Sequence, residues 1–367
     1  MAAGSEAALA RQTPVIAAED FGVLEGRTVR LWRLSRETEA GRIAIAVSEY
    51  GAALTSCALP DARGRETDIV LGYDTLAQYV AGEAYCGAIC GRYGNRLRDS
   101  WIEIDGQGFA LVPNEGRNQL HGGPSGFHRL VWSGGASPNG EGLLFRLTSP
   151  DGDMGYPGRL DVEVTFRIEA RCGLRIEMSA RCDRPTICNL VHHAYWNLGG
   201  HDRGDPASRT VLDHVAHIAA DFYTPVDGEQ LATGEIRRVE GTPLDFRVAK
   251  RIGQDIASGE IPGGYDHNLV LGSASADGLR DCAEIACEAS GIVMSLRTSE
   301  PGVQFYTGNL LGPGDIGKSG QPFAPHAGFA LESQKFPCSP QFGHFPSALL
   351  RPGEEYRHVM SFGFRRQ

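Results

Sequence analysis

The sequence predicts an all-β protein, built as one large antiparallel β-sandwich with few short helices. Runs of alternating apolar and polar residues recur along the 367-residue chain, which is the pattern of half-buried strands. The 48 glycines and 20 prolines favour frequent turns. No βαβ alternation, long helical period or internal repeat is present. Since no linker-like stretch divides the middle of the chain, we expect a single domain over residues 21–367, after a flexible lead-in over residues 1–20.

The first clear strand is predicted over 42–48, where large apolar residues occupy every second position before a turn. A short helix is predicted over 74–79, with Asp74 or Thr75 as its N-cap. Later strands are predicted over 292–296, 302–309 and 327–334.

The clearest supersecondary element is a hairpin in the middle of the chain. Apolar residues alternate with polar ones over 160–169 and again over 174–179, on either side of a short turn around Cys172. Period-two patterning on both sides of a turn indicates antiparallel strands with one face in water. This hairpin leads into the stretch 192–200, so we expect that stretch on a strand or just beyond one.

Composition excludes some classes of function. A formal net charge of −10 argues against a nucleic-acid partner, because phosphate binding needs a basic surface. We expect no signal peptide and no membrane span, since the N-terminus has no basic segment followed by a long apolar one. The nine cysteines form no repeated CxxC pair, which favours reduced, mostly buried thiols in a cytoplasmic protein.

Chemistry-bearing side chains concentrate in the stretch 192–200. Two imidazoles, two aromatic rings, a carboxamide and a glycine pair fall within nine residues, reading His192-His193-Ala194-Tyr195-Trp196-Asn197-Leu198-Gly199-Gly200. Imidazoles can transfer protons near neutral pH, and aromatic faces suit a ligand that is both polar and apolar. Taken alone, the stretch is as consistent with a hydrogen-bonded core edge as with a binding site.

Two carboxylates lie in settings that suit a site. Asp266 follows a glycine pair, and Glu332 lies among apolar residues, where a carboxyl group must find partners or raise its pKa. Either outcome suits a general base. The alternative is that Glu332 belongs to the wet face of an alternating strand and Asp266 caps a turn, and the pattern leaves both possibilities open.

A catalytic metal or cofactor is not expected. Imidazoles are available at His121, His214 and His217, but no HExxH or comparable carboxylate spacing accompanies them. Adjacent His192 and His193 would point to opposite faces of a strand, so both do not easily serve one site. A GxSxG nucleophile motif and a GxxxxGK[ST] phosphate loop are also absent from the sequence.

Six segments, in this order, make the sequence resemble the aldose 1-epimerase (galactose mutarotase) family. Their spacing fits from about Gly22 to Phe364. The segments are Gly91-Arg92-Tyr93-Gly94-Asn95-Arg96, Asn118-Gln119-Leu120-His121-Gly122-Gly123, His193-Ala194-Tyr195-Trp196-Asn197-Leu198, Tyr265-Asp266-His267-Asn268, Gln304-Phe305-Tyr306-Thr307-Gly308-Asn309 and Leu331-Glu332-Ser333-Gln334-Lys335-Phe336-Pro337.

The resemblance implies a twisted sandwich with an open sugar cleft and a cofactor-independent isomerase. Its substrate would be a free monosaccharide such as galactose or glucose. By motif position, Glu332 is the implied general base and His193 the implied general acid. The implied sugar-binding residues are Asn95, Arg96, His121, Asp266 and Gln304. Members usually carry Asn just before the acid, where this chain has His192, so the chain departs from the family pattern next to the implied acid.

Two rival functions remain open from the sequence. A glycoside hydrolase could use Asp266 and Glu332 as its two carboxyl groups, provided that their separation suits a retaining or inverting mechanism. A non-catalytic sugar-binding protein would be expected to have lost Glu332 or His193, and both are present. The sequence decides neither the preferred aldose nor the oligomeric state, monomer or homodimer.

Overall fold

The computed structural model describes residues 13–39, 41–201, 209–312 and 314–367. Within these ranges the regular structure is nearly all strand, and every ladder between the named strands is antiparallel. The all-β antiparallel fold predicted from the sequence is confirmed.

The strands of the first half of the chain are β1 (Val15–Leu24), β2 (Arg27–Thr38), β3 (Gly41–Ser48), β4 (Ala53–Pro60), β5 (Glu66–Asp68), β6 (Ile89–Cys90), β7 (Arg96–Leu97), β8 (Trp101–Ile104), β9 (Gln107–Ala110), β10 (Gln119–Leu120), β11 (Ser133–Ala136), β12 (Leu143–Ser149), β13 (Leu160–Glu169) and β14 (Gly173–Cys182). Those of the second half are β15 (Thr186–Ile187), β16 (Val191–His192), β17 (Val215–Ile218), β18 (Ala220–Thr224), β19 (Arg237–Arg238), β20 (Lys250–Arg251), β21 (Asp266–Leu271), β22 (Arg280–Cys287), β23 (Ile292–Thr298), β24 (Gly302–Tyr306), β25 (Ala330–Gln334), β26 (Leu349–Leu350) and β27 (Tyr356–Arg366). Two short helices are α1 (Leu76–Ala81) and α2 (Gly253–Ser258).

Three larger sheets form the described part of the chain. The first has the order β1-β2-β3-β4-β5, and the second has the order β11-β12-β13-β14-β27-β23-β22-β17-β20. The third, which we call the cleft sheet, has the order β19-β18-β21-β24-β25. Apolar side chains of all three sheets meet in one buried cluster that runs from Leu34 to Phe364. This shared core supports the prediction of a single domain.

The first strand begins earlier than expected. β1 pairs with β2 from Val15 onward, so the lead-in predicted over residues 1–20 is wrong for its last six residues, and residues 1–12 lie outside the described ranges. The turn between the two strands, Glu25-Gly26, has φ values of 50° and 77°, which suit the tight turn of a twisted hairpin. Most of β1 is exposed, so its sequence carries little of the alternation on which strand prediction depends.

The predicted central hairpin is confirmed. β13 and β14 pair from Leu160↔Cys182 to Glu169↔Gly173, and every second residue of β13 is buried. The predicted helix is also present, as α1. Its N-cap is Thr75, whose side chain accepts from the Gln78 backbone N–H while the Gln78 side chain accepts from the Thr75 N–H. The short helix α2 was not predicted.

The pleat of the cleft sheet places polar side chains on one face. Gln304 lies opposite Asn268 on β21 and opposite Glu332 on β25, so the three side chains share a face. Asp266 and Gln334, each two residues along its strand, share that face as well. The opposite face contributes Val303, Phe305 and Leu331 to the core. Alternation therefore makes one face of the cleft sheet polar and keeps the other face apolar.

Trp196 and Phe305, two aromatic residues of the matching motifs, are core residues. Trp196 is 1% exposed and packs against Phe362 at 4.9 Å between ring centroids. Phe305 is fully buried. Eight of the nine cysteines are buried and Cys182 is half-buried, as expected for thiols that serve packing. Across the described ranges, no helix is long and apolar enough to cross a membrane.

Candidate active site

A cleft of about 270 Å³ opens beside the polar face of the cleft sheet. Six of the seven predicted site residues line it: Asn95, Arg96, His121, His193, Asp266 and Glu332. They come from five separate segments of the chain. The fold therefore brings together residues that are up to 237 positions apart in sequence, from Asn95 to Glu332.

His193 and Glu332 form a buried pair in this cleft. The Nε2 atom of His193 lies 3.6 Å from Oε1 of Glu332, and both side chains are at most 5% exposed. His193 follows β16 and is held by its backbone, which donates to Ala88 O and accepts from Gly87 N, both at 2.9 Å. Glu332 is the central residue of β25. Two rigid elements thus set the separation of the two groups.

Each member of the pair also has a buried atom with no hydrogen bond within the described residues. These atoms are Nδ1 of His193 and Oε2 of Glu332. Buried polar atoms are normally paired, because leaving them unpaired costs free energy. Here both belong to side chains that line the cleft, so a polar ligand in the cleft is the natural source of partners.

Burial shifts the two titrations in opposite directions. It lowers the pKa of His193 to about 4, because the imidazolium loses hydration. It raises the pKa of Glu332 well above its ordinary value, reinforced by the negative charge of Asp266 and opposed by Arg96. Groups this close titrate as a pair. Between the two transitions, the pair holds a single proton.

Arg96 is positioned by a carboxylate that the sequence reasoning missed. Its Nε and Nη2 atoms donate to the two oxygens of Glu115 at 2.7 and 2.8 Å. Its Nη1 lies 4.0 Å from Oδ2 of Asp266, too far for a hydrogen bond, so these N–H groups are left to face a ligand. Burial opposes the charge of Arg96, but the Glu115 bonds and the nearby carboxylates raise its pKa, so it is a permanent cation.

Asn95 and His121 lock each other in place. The Asn95 backbone N–H donates to Nδ1 of His121 at 3.2 Å, and the His121 N–H donates to Asn95 O at 3.1 Å. Both residues have positive φ, 65° and 52°, conformations that this reciprocal bonding helps to hold. Burial lowers the pKa of His121 well below its ordinary value, so its ring is neutral at pH 7. Since Nδ1 accepts a bond, the proton of the neutral ring resides on Nε2.

That tautomer bears on metal binding. Ligand atoms of His121, His193 and Glu332 lie within 4.8 Å of one another, close enough for one ion. A ring whose Nδ1 accepts from Asn95 offers a donor at Nε2 and not the lone pair that a metal needs. The residues therefore fit a hydroxylated ligand better than a metal ion.

Gln304 is placed differently from the other predicted residues. It is 3% exposed and is not among the residues that line the cleft. Its Nε2 donates to Oδ1 of Asp266 at 2.7 Å, and its Oε1 accepts from Gln334 Nε2 at 3.3 Å. Gln304 thus orients Asp266 from behind, and its direct contact with a sugar stays a prediction.

Tyr85 is a further site residue that the sequence reasoning missed. Its ring lies 4.7 Å from that of His121 and 5.6 Å from that of His193, between centroids. It covers one side of the imidazoles and helps to keep them dehydrated. Its only sequence signal is an aromatic residue in a loop, which is too common to single out.

Comparison with known proteins identifies the family of the chain. A model of the aldose 1-epimerase family matches residues 36–363. Galactose mutarotase of Homo sapiens is 37% identical over 346 residues, which cover 94% of this chain and 97% of the relative. Aldose 1-epimerase of Escherichia coli K12 is 34% identical over 358 residues, 96% of this chain and 98% of the relative.

A solved structure gives the same result. The GalM/aldose epimerase homologue from C. elegans superposes with a TM-score of 0.80 at 31% identity, covering 90% of this chain and 97% of that one. A family model matching most of the chain, relatives above 30% identity and a shared fold all agree. This chain belongs to the aldose 1-epimerase family.

Proposed function

We propose that this protein interconverts the α and β anomers of a free aldose such as galactose or glucose, with Glu332 as general base and His193 as general acid. The observation that carries the proposal is the buried pair itself. A carboxyl group and an imidazole lie 3.6 Å apart in the cleft, and because burial lowers the pKa of the imidazole and raises that of the carboxyl group, they hold one proton between their two transitions. A reaction that removes one proton from the substrate and delivers one to it needs one proton acceptor and one proton donor, and a pair that holds a single proton supplies both.

These pKa shifts place the shared proton on Glu332 in the empty cleft, so ring opening first requires its transfer to His193 across the 3.6 Å gap. The reactive form has His193 protonated and Glu332 ionised. Glu332 takes the proton of the C1 hydroxyl while His193 gives its proton to the ring oxygen, and the C1–O5 bond breaks to leave the aldehyde. Rotation about C1–C2 then exposes the other face of the carbonyl. Closure returns the ring-oxygen proton to His193 and the Glu332 proton to O1. The pair ends with the proton count with which it began, and because no electrons are transferred no cofactor is required.

The surrounding residues hold the sugar while C1 rotates. Arg96 offers the N–H groups of Nη1, His121 offers Nε2–H, and Asp266, braced by Gln304, offers a carboxylate oxygen. Donors and acceptors in these positions match the alternating roles of sugar hydroxyls. A substrate held at several hydroxyls gains the orientation that makes proton transfer effectively intramolecular.

We also propose a cytoplasmic location and a small-molecule partner for this protein. Eight buried cysteines among nine suit a reducing compartment, which supports a cytoplasmic location. The formal charge of −10 supports a small-molecule partner over a nucleic acid.

Polarimetry tests the proposal. Freshly dissolved α-D-galactose and α-D-glucose, followed by arabinose and xylose, should relax to their usual final rotations faster with enzyme than without. The Glu332→Gln variant, which keeps the shape of the side chain, is the matched control. No acceleration with any of the four sugars would overturn the proposal and favour a sugar-binding protein, which a binding titration would reveal.

A further inference from the structure

We propose that the cleft selects aldoses by charge, accepting neutral and cationic sugars and rejecting those that carry an anionic group. The carboxylates of Glu83 and Asp315 would impose this selection. The inference rests on the proposed mutarotation and names the substrate class for the same site. It excludes uronic acids and sugar phosphates and admits amino sugars.

The lining of the cleft is strongly acidic. Its carboxylates are Glu83, Asp266, Asp315 and Glu332. Arg96 is the one arginine or lysine among the described residues of the lining, and Glu115 bonds two of its nitrogens. With the Glu332–His193 pair holding one proton, the carboxylates still outnumber the single cation. An anionic substituent on the sugar is therefore repelled by the net negative charge of the cleft.

Glu83 and Asp315 line the cleft from segments other than those that carry the reacting pair. Glu83 is exposed in the segment after α1. Asp315 is half-buried in the loop between β24 and β25, where its Oδ1 accepts from the Tyr73 hydroxyl at 3.1 Å. Neither makes an ion pair within the described part of the chain. Their charges are therefore not neutralised by an ion pair among the described residues.

Cations on adjoining elements are held by other groups. Lys318 donates to Asp68 Oδ2 at 2.7 Å and to Val70 O at 2.8 Å. Arg129 lines a small neighbouring cavity and donates to Val80 O at 3.1 Å. Glu83 lines the same small cavity as Arg129, but neither Arg129 nor Lys318 forms an ion pair with Glu83 or Asp315 among the described residues.

A separate observation indicates that this acidic cleft takes a ligand at all. Oε2 of Glu332 and Nδ1 of His193 are buried, unpaired within the described residues, and belong to side chains that line the cleft. The pair needs an uncharged hydroxyl and ring oxygen close to it. The carboxylates of Glu83 and Asp315 then act on the more distant substituents of the same sugar.

The test compares three sugars that differ in one group: galactose, galacturonate and 6-amino-6-deoxygalactose. Anomer exchange is measured by NMR at low ionic strength in the wild type and in the double variant Glu83→Gln/Asp315→Asn. Both substitutions keep shape, and the amide oxygen introduced at position 315 can still accept from the Tyr73 hydroxyl. Glu103→Gln, a change at an exposed carboxylate on β8, is the matched control.

We expect kcat/KM for galacturonate to be at least about tenfold below that for galactose in the wild type. The galacturonate-to-galactose ratio should rise at least about threefold in the double variant and with about 0.5 M salt, which screens exposed charges. The amino sugar should show the reverse trend, and the control should match the wild type.

Two results would overturn the inference: equal turnover of galacturonate and galactose at low salt, or a ratio that the double variant leaves unchanged. Failure to turn over galactose at all would instead overturn the proposed mutarotation. The two failures are therefore distinguishable in one experiment.

Discussion

His192 and His193 are neighbours in sequence and lie in different environments. His193 faces the cleft beside Glu332. His192, the last residue of β16, faces the core, where its ring lies 6.2 Å from that of Phe166 between centroids. Both nitrogens of His192 are buried without a hydrogen bond among the described residues, and burial lowers its pKa to about 3. The same side chain therefore lines the cleft as the proposed proton carrier at one position and is a neutral packing group at the next.

Arg92 and Arg96 repeat the contrast within one motif. Arg96 reaches the cleft, as described above. Arg92 is 1% exposed and donates to main-chain oxygens of Ser149, Pro150 and Pro157 between 2.7 and 3.0 Å. It ties its own loop to the end of β12 and to the connection between β12 and β13, and it does not line the cleft. In both pairs the two residues are of the same type, and they differ in whether the backbone directs the side chain to the cleft or to the core. That direction, and not the residue type, separates the two environments.

The largest expected loss of activity comes from substitutions at Glu332 and His193, which line the cleft. Glu332→Gln removes the base and His193→Gln removes the acid while their shapes are largely kept. Each should lower kcat by about 10²-fold or more, with sugar binding largely retained. Polarimetry measures the rate, and a binding titration measures retention. If the Glu332→Gln variant had the kcat of the wild type, Glu332 would not be the base.

Arg92→Met should instead destabilise the fold. It leaves several buried carbonyl oxygens without a donor, which we expect to cost about 3 kcal/mol of unfolding free energy. Denaturant unfolding measures this loss. The kcat of the enzyme that remains folded should stay within about tenfold of the wild type. If stability were unchanged while kcat fell by about 10²-fold, Arg92 would belong with the cleft residues.

Glu115→Gln should give a smaller effect, on binding. The variant loses the charge that holds Arg96, so we expect KM for galactose to rise about tenfold while kcat changes less than about threefold. Steady-state polarimetry separates the two constants, with Glu103→Gln again as control. A fall in kcat with KM unchanged would mean that Arg96 acts on the transition state alone.

The smallest effect is expected from His192→Asn, which restores the residue usual in the family. Because His192 faces the core, activity should stay within about tenfold of the wild type. The same polarimetric assay serves. A collapse to the level of Glu332→Gln would show that the acid had been assigned to the wrong histidine.

The sequence predicted those elements whose signal is local. The central hairpin alternates because one face of each strand is buried, and Thr75 caps α1 through a bond to Gln78 only three residues away. β1 was missed because both of its faces are largely exposed, so apolar alternation is not required. Alternation of apolar and polar residues reflects the burial of one strand face, and β1 has little buried surface.

The site was predicted mainly through the six-motif resemblance. That reasoning found residues on the cleft wall but missed Glu115 and Tyr85, whose roles depend on contacts with Arg96 and the imidazoles. The placement of Gln304 behind Asp266 follows from the strand register Asn268↔Gln304↔Glu332, which a single sequence does not contain. Long-range register decides which polar side chain contacts a ligand and which one braces it.

The central claim is that Glu332 and His193 share one proton in a dry cleft, and the pH profile of kcat/KM for galactose tests it most directly. Spontaneous mutarotation is subtracted at each pH. Below the acid limb a second proton joins the pair and removes the base; above the alkaline limb the single proton is lost and the acid with it. Since burial lowers the pKa of His193 to about 4, the acid limb should lie near pH 4 and activity should persist well below pH 6.5, the ordinary pKa of histidine. Since burial raises the pKa of Glu332, the alkaline limb should lie above the ordinary pKa of a glutamate. An acid limb centred near pH 6.5 would contradict the account, because it would mean that the histidine titrates as if it were exposed to water.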